Sequence, residues 1–165
     1  LYVADNMNFT HAIQIDADGQ HDLAAVTDFL DQARHNPQAL VCGYPVYDQT
    51  VPLARLWGRE LTNFWVHVNT RSKALKDAMC GFRVYPIAQT LPVLPSVRTR
   101  RMDFDPDIAV RLLWAGVPVI NRPVRVTYPK DGISHFRGFS DNMRISRLHA
   151  GHFCTMLLRR MGLAK

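Results

Sequence analysis

The stretch that most constrains this chain is Ile13-Gln14-Ile15-Asp16-Ala17-Asp18-Gly19-Gln20-His21-Asp22. An apolar strand run gives way to two carboxylates separated by one residue, then a glycine, then a helix start. Ligands of open α/β sheets gather outside the carboxyl ends of strands. Two hard oxygen donors at such a point suit a divalent cation that carries phosphate. On an extended chain positions i and i+2 face the same way, so a turn after Ile15 lets Asp16 and Asp18 converge. The plainer alternative is a solvated Asx-rich turn, with Asp22 capping the next helix.

The rest of the chain reads as short strands alternating with helices, an α/β layer pattern. His11 to Ile15 is a short buried strand, followed by a helix with Leu23, Val26, Phe29, Leu30 and Ala33 on one face. His35-Asn36-Pro37 stops that helix. Ala39 to Tyr44 is a second buried strand, broken after Pro45. A long helix starts near Pro52, with Leu53, Leu56, Trp57, Leu61, Phe64 and Val68 as its buried stripe. Residues 69–77 read as a polar surface loop, and Met79 to Tyr85 as a strand ending at Pro86. Leu91 to Arg101 is a loop with a positive face from Arg98, Arg100 and Arg101. A helix from Asp107 ends at Gly116, and Pro118 and Pro123 make the following strand an edge or bent one rather than a central one. From about Ser140 to Met161 a last helix carries Met143, Leu148, Phe153, Met156 and Leu157 among arginines. It suits either an anionic membrane surface or packing on the sheet.

The 165 residues can bury one sizeable core. Twenty basic against fourteen acidic side chains give a net charge of +6, which favours an anionic partner. Nucleic acid is not expected, because the arginines form no dense run interleaved with aromatics. Cys42, Cys80 and Cys154 form no CxxC pair, so neither a disulfide scaffold nor a zinc knuckle is indicated. That favours a reducing, cytoplasmic setting. No apolar run approaches the roughly 20 residues that span a bilayer, and no secretory leader is expected. A peripheral position at the cytoplasmic membrane face fits the basic balance.

Other residues carry chemistry. Within Asp103, Asp105 and Asp107, one carboxylate could take a proton from an acceptor hydroxyl, or all three could answer a helix dipole. Asp77 is a further candidate. Among the arginines, Arg83 and Arg137 stand out, because a guanidinium fork matches phosphate oxygens. His149 and His152 lack zinc spacing and read as ordinary surface or helix-face residues, while His135 suits a phosphate better than a metal.

Four segments together resemble the family 2 glycosyltransferases of the GT-A fold, in the branch of dolichyl- and polyprenyl-phosphate sugar transferases. They are IQIDADGQHD at 13–22, DAMCGFRVYP at 77–86, FDPDIAVRLLWAG at 104–116 and GISHFR at 132–137. The resemblance implies an α/β fold, a GT-A-like mixed sheet flanked by helices that lacks the first nucleotide-binding strands. It implies a partial GT-A domain over 1–137 and an amphipathic helix over 138–165. By the same resemblance, Asp16 meets the ribose side of a UDP- or GDP-linked sugar donor. Asp18 binds Mg²⁺ or Mn²⁺ and through it the diphosphate. Gly81, Phe82 and Arg83 form the wall near sugar and acceptor, and Ser134 and Arg137 belong to a late loop over phosphates. Asp105, or a neighbour such as Asp103, lies where the family carries the acidic residue on the acceptor side.

The implied reaction is an inverting transfer of one sugar to a lipid-linked or hydroxyl acceptor. Cys80 stands where the family carries serine, and no Gln-x-x-Arg-Trp segment of the processive synthases is present. Fifteen residues precede Asp16, where relatives have some 80 to 100, so the chain looks like the carboxyl-terminal two thirds of such an enzyme. A second copy or another partner is then expected to cover the exposed strand edge. The alternatives are a catalytically inactive partial domain that binds or assembles, and a nucleotidyltransferase. The latter usually carries an early glycine-rich loop with a lysine, which is not seen.

Overall fold

The computed structural model describes residues 1–47, 51, 53–127 and 138–163. In chain order it runs α1 (Tyr2–Asn6), β1 (His11–Gln14), α2 (Ala25–His35), β2 (Leu40–Tyr47), α3 (Leu53–Thr70) and β3 (Arg83–Pro86). Then come the short α4 (Ile87–Thr90), a 3₁₀ turn at Leu94–Ser96, α5 (Phe104–Trp114), β4 (Val119–Val126) and α6 (Gly138–Arg160).

The strands form one mixed sheet in the order β1-β3-β2-β4. β3 runs antiparallel to both neighbours, with Gln14 opposite Arg83 and Val41 opposite Val84. β2 and β4 run parallel from Leu40 beside Val119 to Tyr47 beside Val126. Because successive strand side chains alternate faces, Leu40 and Cys42 enter one core with Val66, Leu75, Ile108 and Leu112. Val41 enters the other with Phe29, Phe82, Val84 and Val124. Helices thus cover both faces, and the fold is the α/β mixed sheet flanked by helices that the motifs imply.

β4 lies at the edge, where Pro123 forfeits no central ladder bond. β1 lies at the opposite edge and is only partly buried, with Ile13 40% exposed, rather than an interior strand. β2 continues through Pro45 to Tyr47 instead of breaking there, because β4 pairs with it along its whole length. α5 starts three residues before Asp107 and closes as expected. Gly116 takes φ +79°, and its N–H and that of Val117 bond back to Leu113 and Leu112.

The expected stripe of α3 is wrong in phase. Trp57, Leu61 and Phe64 are exposed, while Thr62, Asn63, Val66 and Asn69 turn inward. The reason lies in the segment after the helix, which is packed rather than a free surface loop. Leu75, Asp77 and Ala78 are buried there, and their polar backbone needs partners. Asn63 accepts the Ala78 N–H at 2.9 Å, and His67 pairs with the Leu75 carbonyl at 2.9 Å. A polar helix face therefore meets irregular chain, and the apolar residues are left outside.

α6 is turned in the same unexpected way. Met143, Phe153 and Leu157 are exposed, and His149 and His152, read above as helix-face residues, are interior. Trp65 stacks on His149 and the Trp114 ring meets His152 edge-on, at centroid distances of 6.5 and 5.2 Å. No helix among the described residues is long and apolar enough to cross a membrane.

Candidate functional site

The loop after β1 is shaped by its own residues. Gly19 takes φ +71°, and the Gln20 N–H donates to Asp18 Oδ1 at 3.0 Å. The chain then returns to the carboxyl end of β4, where His21 bridges Val126 and the Asp22 N–H reaches the Arg125 carbonyl. Asp22 accepts the Ala24 N–H at 2.9 Å, so it closes the turn ahead of α2 rather than capping the helix itself. The His21 ring meets Phe82 edge-on at 5.6 Å, and Phe82 packs on Phe29 at 4.6 Å. This aromatic file fixes His21, whose Nε2 lies 3.6 Å from Asp16 Oδ2.

Asp16 is close to half exposed and sits directly over Gly81. A Cβ built on Gly81 would collide with the Asp16 carboxylate. The 13–22 and 77–86 segments, some 60 residues apart, thus interlock through a missing side chain. Asp18 is exposed, and its second oxygen has no protein partner among the described residues.

Beside this interlock lies a buried polar network. The β1–β3 register sets Gln14 next to Arg83. The fully buried Arg83 donates to the carbonyls of Cys80 at 2.9 Å, Ala78 at 2.7 Å and Asp105 at 2.8 Å. It also faces Asp105 Oδ1 at 3.5 Å. Gln14 Nε2 donates to the same oxygen at 3.0 Å, and the Tyr85 hydroxyl donates to Gln14 Oε1 at 3.0 Å. Burial pushes the Asp105 carboxyl up against the opposing pull of Arg83 and Gln14, and the charges of Asp16 and Asp77 add to the rise. A partly exposed carboxylate held this way is suited to accept a proton.

The remaining expected site residues divide clearly. Asp77 is buried and fully engaged. Both its oxygens accept from Arg59 Nη1, at 2.7 and 2.8 Å, and Oδ1 also accepts the N–H groups of Met79 and Cys80. It closes the turn that presents Gly81. Arg83 and Phe82 are fully buried, so they support Asp105 and His21 and present no surface to a ligand. Cys80 is buried, and its thiol is pushed up to about 11 by burial. Asp103 accepts the Arg101 N–H at 3.2 Å and, among the described residues, shares no hydrogen bond with Asp105, Gln14 or Arg83. Ser134, His135 and Arg137 lie outside the described residues. Gln14, which joins Tyr85 to Asp105, escaped the sequence reading. Its signal was a polar residue between Ile13 and Ile15 in a strand.

Among the described residues no three His, Cys, Asp or Glu side chains gather as a metal cage. Asp18, with Asp16 two residues before it, offers a hard-oxygen pair open to solvent. Carboxylate oxygens left open to solvent are the donor type that Mg²⁺ or Mn²⁺ takes, with water completing the shell.

No family model matches the chain. Among curated proteins it is similar to a dolichyl-phosphate beta-glucosyltransferase of Dictyostelium discoideum, 22% identical over 145 residues that take in 83% of this chain. Those residues are 44% of that protein, so the chain spans less than half the length of the relative it matches. The similarity supports a glycosyltransferase-like relationship.

Proposed function

We propose that this chain carries the donor-diphosphate and acceptor-side residues of an inverting glycosyltransferase that moves one sugar from a UDP- or GDP-linked donor. The observation that carries the reading is the seating of Asp16 over Gly81, with the raised Asp105 carboxyl and its Gln14 and Arg83 partners next to it. Asp18, alone or with Asp16, would hold Mg²⁺ or Mn²⁺. When bound, that ion supplies positive charge against the diphosphate as it leaves.

The chain's own residues do the rest. His21 and Gly81 fix the Asp16 carboxylate, which accepts hydrogen bonds from the donor's ribose. Asp105 faces the acceptor. With a hydroxyl acceptor, the anomeric carbon–phosphate oxygen bond breaks, the new carbon–oxygen bond forms with inversion, and the hydroxyl proton passes to Asp105 Oδ2. With a lipid phosphate acceptor, the kind named for the Dictyostelium relative, the attacking oxygen is already anionic. Asp105 then orders the site rather than taking a proton.

Calorimetric titration with UDP and GDP, with and without Mn²⁺, tests the reading. The expected result is metal-dependent binding that is lost in Asp18→Ala and weakened in Asp16→Asn. Binding that ignores both metal and Asp18→Ala would remove the donor site from this loop.

A further inference from the structure

A second cleft opens on the far side of α5. At about 100° per residue, Asp105 and Asp107 point some 200° apart on the first turn of that helix. Asp105 faces β1 and β3, whereas Asp107 is a wall of a cavity of about 450 Å³ between the 96–99 segment, α5 and α6. Arg98, Thr99, Arg111, Arg147 and His152 also line it. We propose that this cleft is an anion site that takes a phosphate-bearing ligand, separate from the Asp16–Asp105 site.

Charge makes the case. The single carboxylate in the cleft is saturated: Asp107 accepts from Arg111 Nε at 2.6 Å, His152 Nε2 at 2.9 Å, Thr99 Oγ1 at 2.9 Å and the Arg98 N–H at 3.4 Å. Its negative charge is answered within the cleft by Arg111, with His152 hydrogen-bonded beside it. The guanidinium groups of Arg98 and Arg147 are exposed at the same cleft and make no ion pair or hydrogen bond among the described residues. Two unpaired cations at one opening repel each other unless an anion lies between them. Their planar forks match tetrahedral phosphate oxygens.

An apolar or cationic ligand would leave the arginines opposed, so the chemistry selects an anion of at least two charges. A free phosphate and a phosphomonoester lipid headgroup share that chemistry. Leu157 and Leu158 on the exposed part of α6 keep the lipid source in play.

The test is calorimetry of the whole chain with inorganic phosphate at low salt, in EDTA so that no metal-assisted site contributes. Saturable binding is expected. Arg98→Gln and Arg147→Gln should each weaken it about tenfold, the usual scale of one charge-assisted hydrogen bond. Both arginines are exposed and unpaired, so circular dichroism should be unchanged. The surface variant Arg34→Gln should bind as the parent does. Flotation with phosphatidylcholine vesicles, with and without phosphatidic acid, then separates the sources. Phosphatidic-acid-dependent flotation that phosphate competes away assigns a headgroup, and phosphate binding without flotation assigns a free ligand. No saturable phosphate binding, or binding unaltered in the double variant, overturns the site.

Discussion

The two aspartates on the first turn of α5 are the same residue type two positions apart, and their surroundings drive them in opposite directions. Around Asp107, burial alone would raise the carboxyl, but donors from His152, Arg111 and Thr99 outweigh it and hold the group low. Around Asp105, burial wins over Arg83 and Gln14, and the carboxyl is raised. One carboxylate is a closed structural knot between α5, α6 and the 98–99 segment. The other is partly open and under-supplied with donors. Identity in sequence says nothing about this division; the count of donors and the neighbouring element decide it.

The largest effect should come from opening the knot. Asp107→Ala leaves the buried His152 and the Arg111 guanidinium without their shared acceptor. Removing one partner of such a buried pair costs about 3–5 kcal/mol. Urea denaturation should show that loss as an earlier midpoint, and a change under about 1 kcal/mol would mean the contacts are loose. Asp107→Asn keeps an acceptor oxygen and should lose clearly less.

The closed side also carries an acid liability. Burial, and then the neighbouring His152, lower His149 to about 4 from the ordinary 6.5. The unfolded chain therefore binds a proton that the folded chain refuses. This stability is full above about pH 6.5 and is lost as pH falls towards about 4. A loss of up to about 3 kcal/mol across that window follows. His149→Phe should flatten the pH dependence of the melting temperature between pH 6.5 and 4, and an unchanged slope would exclude His149 as its origin.

How legible was all this in the residues? Element types were readable where periodicity and prolines act locally, as in the edge position of β4 and the Gly116 stop. The phases of α3 and α6 were not, because both are set by what packs against them. Asn63 faces inward to satisfy the Ala78 N–H, and His149 and His152 face inward against Trp65 and Trp114. Hydrophobicity points the other way at both helices. In the site, DADGQH and CGFR were visible as separate segments, but their interlock depends on Gly81 lying under Asp16 in space. Gln14 could be seen as a site residue only once the β1–β3 register set it beside Arg83.

On the open side, Gly81→Ala tests that interlock. The added methyl takes the space of the Asp16 carboxylate, which is close to half exposed and would be displaced towards solvent, away from His21. Stability should change little, while metal-dependent UDP or GDP affinity drops about tenfold, or 1.4 kcal/mol. Unaltered affinity in a folded Gly81→Ala protein would mean that Asp16 binds equally well from another position.

The smallest stability effect belongs to Asp105, and it is the most informative for chemistry. Because its carboxyl is raised on folding, the fold favours the protonated form. That preference is present at low pH and lost as pH rises through the folded value. Asn at 105 mimics the protonated group and still accepts from Gln14, so Asp105→Asn should leave stability at pH 7 within about 1 kcal/mol of the parent. Under the proposed sugar transfer, its kinetic effect then separates the two acceptors. A base for a hydroxyl is typically worth 10²–10⁴-fold, with a rate that rises as Asp105 deprotonates. A phosphate acceptor needs no base, and Asp105→Asn would keep most of the rate with no such rise. Sugar transfer from the preferred donor, followed against pH for parent and variant, gives one pattern or the other. If instead Asp105→Asn destabilises as strongly as Asp107→Ala, the contrast between the two faces of α5 fails, and Asp105 is a structural knot as well.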